Sequence, residues 1–219
     1  MFNTPDELVM PRSNVIPIDH KKLVQSKLIS AVGPVVARVG FARLDEARIA
    51  QEAGVKKSNI TRFFGGLPGL MSAFGESGLF WPTVEELMQE TPREFPMLSP
   101  DQQVAAFFKS MLSCLRRRPV SLDILAWAAL ERDDLSRRLE DVQVRTALEY
   151  FEHLHGEISD DIDLSAIVAL LAGAVHFLAI RSRNTRTFGG IDLESEAGWR
   201  RIEKAIEILM NGSLSGLQH

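Results

Sequence analysis

The stretch from residue 22 to residue 74 constrains the fold more than any other part of the chain, because glycines divide it into three short helical segments. Apolar residues recur near helical spacing over residues 23–39, and Gly40 follows at the position just past a helix end. Residues 45–54 open on an aspartate, a good N-terminal cap, and close on a glycine. Residues 58–64 form a third segment before two further glycines. This order predicts a helix-turn-helix unit.

Positive charge is concentrated in the same stretch. Residues 20–64 hold nine lysines and arginines against three acidic residues, a net charge of +6, so the rest of the chain carries −10 of the total of −4. A basic N-terminal module on an acidic body indicates a polyanion as the partner. A solvated helix surface is the alternative explanation for the charge alone, and the turn pattern favours the polyanion.

The motifs of this stretch resemble those of a known family. They are Gly40-Phe41, then Ile49-Ala50-x-x-Ala53-Gly54-Val55, then Arg62-x-Phe64. In order and spacing they are similar to the DNA-binding head of tetracycline-repressor-type (TetR) transcriptional regulators. The resemblance implies an all-α fold, with an N-terminal three-helix helix-turn-helix head and a larger C-terminal helical body for effector binding and dimerisation. It also implies a homodimer that binds a palindromic operator in double-stranded DNA.

The third helix holds the predicted reading residues, because the second helix of such a pair enters the major groove. Lys56, Lys57 and Arg62 suit contacts to phosphates, and the amide of Asn59 can pair with adenine. The predicted DNA-binding set is Arg43, Lys56, Lys57, Ser58, Asn59, Thr61 and Arg62. We expect binding to weaken steeply with salt, because neutralised phosphates release counterions.

Four positions depart from the family's pattern where contact with DNA is expected. Lys56 stands where the family usually has a small hydroxyl cap, and Thr61 stands where it usually has tyrosine. Leu67-Pro68 occupies the place of a phosphate-binding lysine, and Asp45 replaces a threonine cap. The favoured function is a ligand-responsive homodimeric repressor. The departures keep open an alternative, a TetR-like helical ligand- or protein-binding module whose DNA binding is lost or weakened.

Beyond residue 74 the chain is acidic and helical by pattern, with proline and glycine breaks and no strand-like alternation. Helices are predicted over residues 100–118, 122–130, 135–155, 164–180 and 195–210. The predicted division is a flexible arm over residues 1–18, the helix-turn-helix domain over residues 19–66, and the effector-binding and dimerisation domain over residues 67–219.

Residues 164–180 form a largely apolar segment that permits two interpretations. The segment is just long enough to span a bilayer, but it contains Gly173 and His176 and has no second apolar partner segment. The favoured interpretation is a buried helix that pairs with the final helix in a four-helix dimer seam, as the resemblance implies. The predicted dimer-interface residues are Leu170, His176, Phe177, Ile202, Ile206 and Leu209.

The body also carries aromatic residues, which by default belong to a core. The resemblance implies that some of them line a cavity for a small hydrophobic effector. The predicted effector-binding set is Phe107, Met111 and Trp127 for apolar contact, with Tyr150 and His153 as polar anchors.

Motifs for catalysis or metal binding are weak. Cys114 is the single cysteine and is predicted to be a buried structural thiol. His153-x-His155 lacks the spacing of metal ligands on a helix, and the Gly65-Gly66 turn lacks the lysine and hydroxyl ending of a phosphate loop. The first residues lack the apolar core of a signal peptide. We therefore predict a cytoplasmic protein that is not an enzyme and uses no metal or cofactor.

Overall fold

A computed structural model of the chain describes residues 18–131, 133–156, 158 and 162–211. Helices form nearly all of the regular structure in these ranges, which confirms the predicted all-α class. The helices are α1 Ile18–Val39, α2 Glu46–Ala53, α3 Ser58–Phe64, α4 Leu67–Gly75, α5 Val84–Gln89, α6 Pro100–Arg116, α7 Pro119–Leu130, α8 Asp134–Phe151, α9 Leu164–Arg181 and α10 Glu196–Met210. The predicted flexible arm lies outside the described residues except for Ile18, where α1 begins.

The head, which comprises α1, α2 and α3, is built around one face of α1. Leu28, Val32 and Val36 lie on that face at helical spacing and are fully buried. Ile49 of α2 and Ile60 of α3 complete this core, also without exposure to solvent. The body, residues 67–211, reaches the head by two routes, because α4 packs between α1 and α8 while α7 packs directly on α1.

α6 is the central helix of the body and is buried over most of its surface. Its neighbours are α5, α7, α9 and α10. The fully buried Gln103 ties α6 to the segment after α8. Its side-chain amide donates to the backbone oxygens of Leu98 and His155 at 2.7 and 2.9 Å, and its oxygen accepts from the His155 N–H at 2.8 Å. A buried amide satisfied in this way fixes the packing of the two helices.

The predicted body helices are present, with boundaries shifted by a few residues. α7 begins at Pro119 rather than at residue 122, since proline is favourable in the first turn of a helix. α8 ends at Phe151 rather than at residue 155, because the N–H groups of His153 and Leu154 bond to carbonyls three residues back instead of four.

A small hairpin between α9 and α10 adds to the predicted elements. Its strands are β1 Thr187–Phe188 and β2 Ile191–Asp192, and a 3-10 turn at Phe95–Met97 is the other short element. The predicted glycine break supplies its turn, in which Gly189 and Gly190 have φ angles of 57° and 76° that favour glycine. Strands of two residues are too short to show the alternation by which strands are recognised.

α9 has the length and composition of a membrane span and is the single helix of this kind in the described ranges. Within the single chain, 17% of the helix is buried, including Val175 and Ala179. Its other face exposes small and apolar residues to solvent, at Ala166, Ala169, Leu170, Gly173, Ala174 and Phe177. An exposed apolar face of this length is typical of a surface that meets another protein or a membrane.

Candidate functional site

The start of α2 is fixed by the predicted aspartate cap. Asp45 Oδ1 accepts a hydrogen bond from the backbone N–H of Arg48 at 2.9 Å, and Oδ2 accepts from Arg48 Nε at 3.0 Å. The bond from the Arg48 N–H, followed by the bond from its side chain, lowers the pKa of Asp45 below its ordinary value. α2 ends at Gly54, whose φ of 64° closes the helix in the left-handed conformation.

α3 begins without a side-chain cap. Lys57 precedes its first residue and makes no capping hydrogen bond, and the N–H groups of Asn59 and Ile60 bond to the carbonyls of Lys56 and Lys57 at 3.0 Å. Ile60 holds one face of the helix against the head core. Gly65, with φ of 72°, ends it. Backbone hydrogen bonds to the carbonyls of Lys56 and Lys57 therefore take the place of the small hydroxyl cap that the resemblance implies.

The predicted DNA-binding residues are exposed or half-buried on α3 and in the turns of the head. Ser58, Thr61 and Arg62 are exposed at i, i+3 and i+4 on α3, opposite Ile60. Asn59 is half-buried beside them. The three other predicted residues, Arg43, Lys56 and Lys57, are exposed in the turns before α2 and α3. Together these residues carry cations, a hydroxyl pair and an amide, which are the groups that contact phosphates and base edges.

Acidic residues lie beside two cations of the head, Lys57 of the predicted set and Arg38 of α1. Lys57 Nζ lies 3.7 Å from Glu46 Oε2, and Arg38 Nη2 lies 2.8 Å from Glu52 Oε2. The Lys57 side chain remains 64% exposed, so it stays accessible to a phosphate. Such surface pairs contribute little to stability, and their main effect is on the local charge.

The start of α4 carries Leu67-Pro68 in place of the phosphate-binding lysine. Pro68 lies in the first helical turn, after Gly66 with φ of 122°. Gly69 packs so closely that a Cβ there would lie 1.9 Å from the backbone oxygen of Phe64. This end of α4 is therefore shaped by packing against α3 and presents an apolar side chain where the resemblance implies a cation.

The structure separates the five predicted effector-binding residues. Phe107, Met111 and Tyr150 are buried in the body core, and the rings of Phe107 and Tyr150 are 4.8 Å apart. His153 is exposed, with Nδ1 2.9 Å from the Glu149 backbone oxygen. Trp127 is half-buried, and its Nε1–H donates to the Ala37 oxygen of α1. The five residues therefore do not share one environment.

Two buried side chains of the body, one of them the predicted Tyr150, carry a hydrogen-bond donor without an acceptor in the described part of the chain. Among the described residues, Trp81 Nε1–H and the Tyr150 hydroxyl are buried and have no hydrogen-bond partner. Burial raises the pKa of Tyr150, so its hydroxyl keeps its proton. Trp81 lines a cleft of about 500 Å3 with Val142, Thr146 and Glu149 of α8. Trp81 was not predicted, because nothing local separates it from a core tryptophan.

A groove of about 690 Å3 lies between α6, α10 and the connection before α6. The ion pair of Lys109 Nζ with Glu207 Oε1, at 2.6 Å, lies within it. None of the predicted effector-binding residues lines this groove. Its lining is mixed, with apolar residues such as Leu98 and Ile208 beside charged residues such as Glu203.

The predicted dimer residues divide into two groups. Leu170, Phe177 and Leu209 are exposed, at 76%, 48% and 64% of their surface. Ile202 and Ile206 are buried within the chain, so their assignment to a surface between copies needs correction. The apolar residues of α10 that face outward are instead Ala205, Ile208 and Leu209. His176 is half-buried, edge-on to Trp81 at 5.4 Å, and burial lowers its pKa.

No cluster of three or more metal-ligating side chains occurs in the part of the chain that the structure describes. Cys114 is fully buried in α6, as predicted. Desolvation by burial raises the pKa of its thiol, which therefore stays protonated.

Solved structures share this architecture over most of the chain. A TetR-like transcriptional regulator from Rhodococcus sp. is 21% identical with a TM-score of 0.58, covering 92% of this chain and 100% of its own. NalD of Pseudomonas aeruginosa, the secondary repressor of the MexAB-OprM efflux pump, is 15% identical with a TM-score of 0.60, covering 89% and 98%. FadR of Bacillus subtilis, in complex with stearoyl-CoA, is 15% identical with a TM-score of 0.58, covering 88% and 99%.

No protein-family model matches the sequence. No curated protein matches it either. The likeness to solved structures shows the fold, and the chain therefore has the fold of TetR-type transcriptional regulators. The resemblance inferred from the head motifs is confirmed at this level.

The cap of α2 generates a prediction on stability and pH. Replacing Asp45→Ala is expected to lower the urea midpoint at neutral pH, because the Arg48 N–H loses its acceptor, whereas Asp45→Asn keeps an acceptor and most of the stability. The folded-state pKa of Asp45 is lowered, so its stabilisation is complete above its ordinary pKa of about 3.9 and is lost as the pH falls through the folded value. Urea unfolding between pH 7 and pH 3 measures the difference. A gap between wild type and Asp45→Ala that is independent of pH contradicts this account.

Proposed function

We propose that the chain is a cytoplasmic, homodimeric transcriptional regulator that binds a palindromic DNA operator and releases it in response to a ligand, which makes it a repressor. The observation that carries the proposal is the exposed face of α3, on which Ser58, Thr61 and Arg62 stand beside Lys56 and Lys57. Hydroxyl, guanidinium and ammonium groups on one helix face match the phosphates and base edges of a major groove.

A second copy of the chain is the proposed cover for the exposed face of α9. Small side chains at Ala166, Gly173 and Ala174 allow another helix to approach closely, and Leu170 and Phe177 add apolar area on the same face. Two heads are also needed, because a single head reads few base pairs while a dimer reads half-sites about 34 Å apart.

The contacts of α9 favour a second copy over a membrane. Val175 and Ala179 are buried against the rest of the body, and α9 packs on both α6 and α7. Arg183, two residues after the helix, pairs with Asp123 of α7 at 3.1 Å. Inserting α9 into a bilayer breaks these contacts and carries an ion pair toward the lipid, which is costly.

The buried donors support an apolar effector that carries hydrogen-bond acceptors. Trp81 lines the cleft beside Thr146 of α8, and Tyr150 lies one helical turn further along the same helix. A buried donor without an acceptor is unfavourable by about 1–3 kcal/mol, so an acceptor delivered to these groups stabilises the bound state. The structural neighbour solved with stearoyl-CoA shows that an acyl compound fits this fold in that protein.

Two observations favour the alternative function, a helical ligand- or protein-binding module whose DNA binding is lost or weakened. Asp45 is exposed on the head, and Leu67 occupies the place of a phosphate-binding cation. On that alternative the body binds a ligand or a protein while the head makes no selective DNA contact.

The primary test is selection of genomic fragments by the full-length protein over a salt series with competitor DNA. We expect retained fragments that share a palindrome. The log–log salt slope of the Lys57→Ala variant is expected to be shallower by about 1.8, because the homodimer loses one phosphate contact in each of its two heads. The control is Arg200→Ala, which removes an equal charge from an exposed position of α10 and is expected to leave the slope unchanged. A wild-type slope in both Lys56→Ala and Lys57→Ala contradicts their role, and no retained fragment at low salt favours the alternative function.

The α9 surface is tested by the oligomeric state. Leu170→Asp is expected to raise the dimer dissociation constant at least about tenfold, because an unpaired carboxylate would be buried in the interface. Light scattering over a dilution series measures the molar mass. Leu148→Asp is the control, since Leu148 is similarly exposed, at 60%, on α8. Equal masses for wild type and Leu170→Asp would place the interface elsewhere.

The Tyr150 hydroxyl is tested by Tyr150→Phe in the free protein and with stearoyl-CoA as the probe. The unfolding temperature of the free variant is expected to equal or exceed that of wild type, because the removed hydroxyl has no partner. Any stabilisation of wild type by the probe is expected to shrink in the variant. Differential scanning fluorimetry measures both quantities. A clear drop in the unfolding temperature of the free variant would show that the hydroxyl is bonded in the absence of ligand.

A further inference from the structure

The turn between α1 and α2 is held by a carboxylate from the body. Glu131 Oε2 accepts hydrogen bonds from the backbone N–H groups of Phe41 at 2.6 Å and Ala42 at 3.1 Å. These residues are about 90 positions apart in the chain, and Glu131 lies at the end of α7. Hydrogen bonds to an ionised acceptor are stronger than neutral ones, so the carboxylate is a firm attachment for the turn.

The indole of Trp127 forms a second attachment one turn earlier on α7. Its Nε1–H donates to the Ala37 oxygen at 3.0 Å. Ala37 lies in the last turn of α1, where backbone oxygens lack partners within the helix. The body thus satisfies a carbonyl of α1 with Trp127 and two N–H groups of the following turn with Glu131.

Gly40 makes this close approach possible. Its φ of 76° favours glycine, and a Cβ there would lie 2.9 Å from Glu131 Oε1 and 3.1 Å from Trp127 Cδ2. A further glycine, Gly33, stands two turns earlier on α1, where a Cβ would lie 3.2 Å from Val120 at the start of α7. Gly33 therefore allows the start of α7 to pack closely on α1, and Gly40 allows the end of α7 to pack closely on the turn that follows α1.

α7 is also tied to the proposed dimer helix. Asp123 of α7 accepts two hydrogen bonds from Arg183, which follows α9, at 3.1 and 3.3 Å. α7 packs on α9 as well as on α1. A continuous series of contacts therefore leads from α9 through α7 to the turn before α2.

We propose that Glu131 is a specificity-determining residue that fixes the angle of the head on the body, and thereby the spacing of the two DNA half-sites that the dimer accepts. The proposal rests on the proposed function, because it requires two heads that read one operator. Half-site spacing is a geometric property of the dimer, since the reading helices must reach successive major grooves on one face of the duplex. A head held by two charge-assisted bonds permits a narrow range of spacings.

The first experiment compares operator spacing preferences. The selected palindrome is rebuilt with the half-sites moved by one or two base pairs in each direction, and fluorescence anisotropy gives the dissociation constants. Wild type is expected to prefer one spacing by about tenfold or more, a difference of about 1.4 kcal/mol. Glu131→Ala is expected to reduce this preference to about threefold or less while retaining non-specific binding, which depends on phosphate contacts.

Two variants separate positioning from general damage. Glu131→Gln keeps an acceptor oxygen and is expected to restore part of the spacing preference. Glu140→Ala removes an exposed carboxylate of α8 and is expected to behave as wild type. A spacing preference in Glu131→Ala equal to that of wild type overturns the proposal, whatever the change in stability.

A second experiment does not depend on DNA. A spin label at Gln51→Cys, an exposed position of α2, gives the distance distribution between the two heads, and the fully buried Cys114 escapes labelling. The distribution is expected to be narrow with Glu131 and broad with Glu131→Ala. A narrow distribution in both proteins overturns the proposal. If no operator is found but the distribution broadens, the DNA-binding function fails while Glu131 keeps its role in orienting the head.

Discussion

The packing of α1 against two surfaces is the constraint on which the rest of the structure depends. Its buried residues Leu28, Val32 and Val36 form the head core with α2 and α3, while Gly33 lets both α4 and α7 approach from the body. Because close-packed helices transmit displacement, a shift of α7 along α1 alters the position of the head. The ligand response that we propose requires such a coupling between two sites.

Local sequence signals predicted the helices because the causes of helix ends are local. Asp45 was predicted as the cap of α2 and fills that role, and Gly40, Gly54 and Gly65 close the three head helices with positive φ. Local sequence signals are weaker at predicting which face of a helix is buried. The apolar residues of α10 cover more than one stripe, so periodicity alone did not show that Ile206 faces the core of its own chain while neighbouring positions face outward.

Contacts between distant parts of the chain had no signature in the sequence. Trp127 was predicted to line an effector cavity because the resemblance implies such a cavity, and the residue type alone indicates no more than a place in the core. The structure places its indole on the last turn of α1, beside Glu131, which carried no local signal at all. Gly40 is the one sequence feature that hinted at this contact. Its lack of a side chain permits the positive φ of the turn and also the close approach of Glu131 and Trp127.

The three acidic residues between positions 20 and 64 bear on the departures of the head from the family pattern. Each of them pairs with a basic residue of the same head, Asp45 with Arg48, Glu46 with Lys57, and Glu52 with Arg38. The carboxylate of Asp45 is therefore accompanied by a guanidinium at 3.0 Å, and a phosphate near this turn meets a pair that is close to neutral rather than an isolated negative charge. Arg43, Lys56 and Arg62 add exposed positive charge to the head. The resulting excess of positive charge favours attraction of a polyanion, while Asp45 acts as the cap of α2.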